Sequence, residues 1–288
     1  MSNNFDKENI VILSLFGMFF GIIVLFYADY VHEDVYAMIY ASPIIVCVVI
    51  SLSLSYHYKK SRDFSLAFLF FGLSMLSLLI AEIMWVIMPY FEIPQYESYP
   101  DIFYLGYAVL SLIFPWFVLR HYKICLNIIH YLIILLITIV GILTYVELSN
   151  NNDLHSSSFS LGLVFAVLTS FLTGISTIML FVLKNTKIFR VWMIIAFSLF
   201  ISALSDIWYY ASENTEDWSG SDFTNIVWFA SYLIMIYALG EQRHSYVIIK
   251  KSFKQVKEKK SMENNSKESD YRFIDRFLEE EERELSQN

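Results

Sequence analysis

Apolar positions in this chain fall in long blocks. Eight runs, approximately 9–28, 35–56, 64–88, 102–119, 124–146, 159–183, 189–211 and 224–242, are nearly free of charge. A helix rises 1.5 Å per residue, so about 20 apolar residues cross the ~30 Å hydrocarbon core of a bilayer. The pattern predicts an all-α membrane protein with eight transmembrane helices. The first run does not read as a cleavable signal peptide, because "MSNNFDKEN" is acidic on balance and no small-residue cleavage site follows the apolar stretch.

Composition agrees with the pattern. The chain is 57% hydrophobic and 17% charged, whereas a soluble domain is about a quarter charged. The two cysteines, Cys47 and Cys125, both lie in predicted spans, which argues against a disulfide framework and a thiolate metal site. The net charge of −8 sums two unlike faces, so it identifies no partner, and nothing points to nucleic acid.

The placement of basic residues predicts the orientation, since cytoplasmic loops of membrane proteins carry the excess lysine and arginine. Lys7 precedes the first run; Lys59, Lys60 and Arg62 follow the second; Arg120 and Lys123 follow the fourth; Lys184, Lys187 and Arg190 follow the sixth. The remainder of the 20 basic residues begin at Arg243, after the eighth. All of them fall on one side of an eight-span arrangement. The opposite loops carry acids alone, among them Asp29, Glu33, Glu92, Asp101, Glu147, Asp153, Glu216 and Asp222. Cell-membrane insertion with both termini cytoplasmic is expected.

A shift of 124 residues superposes the landmarks of the chain on themselves. Gly17 meets Gly141, Asp29 meets Asp153, Lys60 meets Lys184, Ser74 meets Ser198, Glu82 meets Asp206 and Tyr104 meets Trp228. Four spans per unit is an even number, so the expected arrangement is two parallel four-helix repeats, about 1–124 and 125–245. The remainder, 246–288, is a charged cytoplasmic tail.

Glu82 and Asp206 are the acids that interrupt apolar runs. Glu82 lies about 27 Å along its helix from Phe64 and Asp206 about 26 Å from Phe189, near the outer interface. Ionisable residues in spans usually face the bundle interior and mark function. Trp85 and Tyr209 follow the two acids by three residues, on the same helical face. Beyond the next loop stand Asp101 with Tyr104, and Asn225 with Trp228. Together these eight residues form the candidate ligand site, able to hold a cation or polar molecule under aromatic rings or to take up a proton. The plainer alternative is an aromatic belt at the headgroup level, with Asp101 and Asp222 serving only the helix dipole.

The segment from Glu82 to Leu105 resembles a motif of multi-span membrane regions that precede diguanylate cyclase or histidine kinase domains in bacteria and archaea. There a D/E-x-x-W element is followed by S-x-x-D-x-x-Y-L, matched here by Glu82, Trp85, Ser98, Asp101, Tyr104 and Leu105. The second half keeps only an echo, in Asp206 and Trp208 or Tyr209. The resemblance implies a sensory module, and it extends to no ligand or cofactor. By contrast with those regions, the residues that follow here, from 246 to 288, are not expected to hold a catalytic domain.

Other polar residues carry blander readings. Asn127 and His130 are expected to hydrogen-bond between helices, and the serine rows Ser51/Ser53/Ser55 and Ser198/Ser202/Ser205 to line helix contacts. His32 and His155 sit beside Asp29 and Asp153 in outer loops, solvated rather than metal-binding. Pro43 and Pro115 are expected to break the second and fourth helices, but their counterparts Val167 and Leu239 do not, which weighs against a transporter with paired broken helices. In the tail, "YRFIDRFLEEEERELSQN" sets Phe273, Ile274, Phe277 and Leu278 on one side of an amphipathic helix suited to a groove on a signalling protein; self-association is also left open.

Two function classes follow. One is a sensory or regulatory module that binds a small ligand, cation or proton and signals through 246–288. The other is a membrane enzyme or transporter using Glu82 and Asp206 as acid–base or coupling groups. No glycine-rich phosphate loop, zinc motif or Ser/His/Asp signature is visible, which weighs against an enzyme. A structural scaffold is the third reading.

Overall fold

The computed structural model describes residues 33–91, 99–149, 157–184, 189–213 and 224–244. Among them the chain forms seven α-helices and a 3₁₀ turn, with no strand. The helices are α1 (Glu33–His57), α2 (Arg62–Ile87), α3 (Tyr99–His121), α4 (Ile128–Leu148), α5 (Ser157–Leu183), α6 (Phe189–Glu213) and α7 (224–244). The turn, Met88–Phe91, extends α2. Six of these helices, α1 to α6, are long and apolar enough to span a bilayer, which makes the chain a multi-pass helical membrane protein. The first apolar run and the tail 246–288 lie outside the described residues, as do His32, His155 and Asp222.

Helix contacts are made by small residues and by serine hydroxyls. α1 meets α2 where Ser55 and Ser65 each donate to the other's carbonyl oxygen at 2.9 Å. α2 meets α3 where Ser77 donates to Phe103 O at 2.7 Å and Ser111 to Ser74 Oγ at 3.1 Å. α6 meets α7 where Ser198 donates to Ser231 O at 2.6 Å. Such bonds hold helices together in lipid, where burial of apolar surface gives little driving force. Of the serine rows, Ser55 and Ser198 bond between helices, whereas Ser53 and Ser205 bond to His57 and to Ile201 O within their own helices.

One core joins α1, α2, α3, α5, α6 and α7, with Ile44, Phe68, Phe71, Phe114, Ile195 and Leu239 among its most buried members. α7 closes the bundle against α1: Cys47 Sγ approaches Tyr232 O at 3.8 Å, and Gln242 Nε2 donates to Tyr58 OH at 2.7 Å. α3 packs on α5, and the Phe114 ring stacks on Trp192 of α6 at 5.2 Å. α4 is peripheral. It packs on α5 and α6 and leaves Leu132, Leu136, Ile139, Val140 and Leu143 exposed, as a lipid-facing helix does.

Two local expectations are corrected. Asn127 and His130 do not bond between helices; they form a reciprocal cap at the start of α4. The Asn127 side chain accepts from His130 N at 3.1 Å, and His130 Nδ1 accepts from Asn127 N at 3.2 Å. The first backbone N–H groups of a helix lack intrahelical partners, and this pair supplies one inside the apolar run. Pro43 and Pro115 sit inside unbroken helices α1 and α3. Neighbouring helices can absorb the backbone groups a proline frees.

Candidate functional site

The two acids of the apolar runs face inward, and each accepts a hydrogen bond from an aromatic side chain on the next helix. Tyr104 OH on α3 donates to Glu82 Oε1 on α2 at 3.1 Å. Trp228 Nε1 on α7 donates to Asp206 Oδ1 on α6 at 2.8 Å. The partners are 22 residues apart in both cases. Trp carries a single N–H donor and Tyr an O–H, so both aromatic residues meet the acid with their polar end and the bundle with their apolar body.

Tyrosines join the two pairs. Tyr232 lies within electrostatic reach of both Glu82 and Asp206. Its ring meets that of Tyr40 edge-on at 6.1 Å, and Tyr40 in turn lies near Glu82 and Tyr104. Tyr107 lies near Asp206. On the other side Tyr104 lies near Tyr209 and Tyr210. The Tyr209 ring contacts Trp228 at 5.2 Å, and Tyr210 stacks on Phe165 of α5 at 4.5 Å. Tyr40, Tyr107 and Tyr232 belong to one core built by helices that include α1, α2, α3, α6 and α7, and the acids' partners Tyr104 and Trp228 pack against it.

Of the eight residues singled out in the sequence, Glu82, Tyr104, Asp206, Tyr209 and Trp228 come together in this cluster. Trp85 follows Glu82 by one turn of α2 and is partly buried. Asp101 and Asn225 occupy the first turns of α3 and α7 and are also partly buried. Asp101 therefore fits a helix-dipole role as well as a ligand role. Tyr40, Tyr107, Tyr210 and Tyr232 were not singled out. Their signal is visible in retrospect: Tyr107 follows Tyr104 by three and Tyr232 follows Trp228 by four, spacings that share a helical face.

The charge balance of the cluster is one-sided. Among the described residues, every lysine and arginine lies at the opposite ends of these helices. There Arg120 pairs with Asp63 at 3.5 Å, Ser61 with His121 at 3.2 Å, and Arg190 donates to Tyr237 OH at 3.2 Å. A carboxylate away from water needs a proton or a cation beside it, and it offers about four lone-pair sites. Each acid receives one bond here, so each retains capacity for an incoming donor or cation. No group of three or more His, Cys, Asp or Glu side chains gathers among the described residues.

Comparison with protein families, with curated proteins and with solved structures finds no match for the chain.

Proposed function

We propose that the chain is an integral-membrane sensory or regulatory module that binds a small ligand, cation or proton at its acid–aromatic cluster. The observation that carries this reading is the inward pairing of Glu82 with Tyr104 and of Asp206 with Trp228 around common tyrosines. Two uncompensated acids amid aromatic rings attract positive charge twice over, through the carboxylates and through the ring faces.

The same reading holds the chain to be two parallel repeats in an eight-span bundle with cytoplasmic termini. Three observations support it. Glu82 and Tyr104 become Asp206 and Trp228 on a shift of 124 residues, and both bonds survive the shift. The packing of α3 on α5 has its counterpart in that of α7 on α1. Ser74 and Ser198, also 124 apart, bridge α2 to α3 and α6 to α7. With the basic ends inside, the cluster opens toward the extracytoplasmic face. The resemblance of Glu82–Leu105 to membrane regions that precede cyclase and kinase domains adds a sensory role, with a signalling partner engaged through 246–288 or through self-association.

Native mass spectrometry of detergent-extracted protein tests this. A small co-purified species is expected in the wild type and is expected to be absent from Glu82→Gln and Asp206→Asn. Substrate flux or turnover in proteoliposomes, lost in both variants, would instead make the acids coupling or acid–base groups. If neither variant changes bound species, flux or turnover, a scaffold remains.

A further inference from the structure

Asp206 has a second face. It lines a cavity between α3, α5 and α6 together with Tyr107, Thr169 and Ser202, and apolar side chains such as Leu172 and Leu199 complete the wall. The cavity measures about 10 Å³, room for the centre of one water-sized particle. Ser202 and Asp206 are four apart on α6, so both project from one face of it.

One hydroxyl of the lining is poorly served by the protein. Ser202 is 5% exposed. Its hydroxyl lies beside that of Tyr107 but has no partner in hydrogen-bonding geometry. Thr169, 4% exposed, donates to Phe165 O at 2.9 Å and so meets the cavity as an acceptor. One Asp206 oxygen takes the Trp228 N–H, which leaves the other available. A buried hydroxyl without a hydrogen bond is unfavourable, and its presence beside a carboxylate calls for an occupant.

We propose that this cavity is a binding site for a monovalent alkali cation, held by the Asp206 carboxylate and the oxygens of Ser202, Thr169 and Tyr107. One carboxylate matches one positive charge. Hard oxygen donors suit alkali ions rather than softer metals. Four protein oxygens are too few for Ca²⁺, which takes 6–8, and a cavity with room for one water-sized particle cannot hold the several waters that Mg²⁺ usually keeps. The position on α6 ties the site to the acid–aromatic cluster, because the same carboxylate that would hold the cation also anchors Trp228 and thereby α7. The inference deepens the ligand-binding reading only through Asp206; Glu82 takes no part in it.

Thermal unfolding of the full-length purified protein in NaCl, in KCl and in N-methyl-D-glucamine chloride at equal ionic strength tests the proposal. A saturable rise in Tm of about 2–4 °C in one alkali chloride over the organic cation is expected, as for a site at roughly five times its Kd. Asp206→Asn and Ser202→Ala should each abolish it, and Glu82→Gln should keep it. Ser202→Ala serves as the decisive variant if Asp206→Asn does not fold. A wild type indifferent to the cation would mean that water fills the cavity, and would overturn the proposal. So would a cation effect that survives Ser202→Ala and Asp206→Asn. Either result leaves the Glu82-dependent binding of other ligands standing or falling by its own test.

Discussion

A hydrogen bond between a tyrosine or tryptophan and a carboxylate inside a bilayer protein is worth more to specificity than to stability. In water-poor surroundings the unfolded helices also find partners, so removing such a bond costs about 1 kcal/mol rather than the larger figure expected for a buried charge. Tyr104→Phe and Trp228→Phe are each expected to lower unfolding stability in detergent by about that amount. Glu82→Gln combined with Tyr104→Phe should then show a coupling of about 1 kcal/mol. Additive effects would mean that the 3.1 Å contact is incidental. The sequence made the acids and their immediate partners legible, because a polar residue in an apolar run stands out and its counterpart recurs 124 residues later. It did not mark Tyr40, Tyr107 or Tyr232, whose shifted positions hold Val164, Ser231 and Ala108. A shift of 124 residues therefore passes over those tyrosines, although they lie in the core on which Tyr104 and Trp228 are packed.

Helices in this protein approach as closely as their smallest residues permit. At Gly174 on α5 an added methyl carbon would lie 3.1 Å from Ile134 Cα and 3.3 Å from its carbonyl oxygen, both backbone atoms of α4 that cannot rotate away. Gly174→Ala is expected to push α4 from α5 and cost about 1–3 kcal/mol. Gly240 on α7 has nothing within 4 Å of such a carbon. Gly240→Ala should therefore stabilise the fold by up to about 1 kcal/mol through helix propensity. Denaturant unfolding of the two variants beside the wild type checks the pair; equal effects would contradict the packing of α4 on α5. The runs of apolar residues were sufficient to read these helices from the sequence. Their ends were less so: the fifth run begins at about 124, but α4 begins at Ile128, because Asn127 and His130 turn the chain and cap it. An apolar stretch announces that it is in the membrane, and only side-chain hydrogen bonding announces where the helix begins.

At the scale of the whole molecule, the described helices carry their lysines and arginines at one end of the bundle and Glu82 and Asp206 near the other. The contacts of α7 with α1 set Tyr232 against Tyr40, in the same core on which Tyr104 and Trp228, the partners of the two acids, are packed. That closure was beyond reach of the hydrophobic pattern, which sets the number of spans and leaves their neighbours open. Cysteine accessibility in right-side-out and inside-out vesicles tests the arrangement most directly. With Cys47 and Cys125 replaced by alanine, single cysteines at Glu82 and at Asp206 are treated with a membrane-impermeant thiol reagent, and cysteines at Lys59 and Lys184 serve as references. Labelling of Glu82→Cys and Asp206→Cys from the extracytoplasmic side alone, and of the two lysine positions from the cytoplasmic side alone, is the expected result. Labelling of the acid positions from the cytoplasmic side, or of neither from outside, would contradict an outward-opening pair of carboxylates.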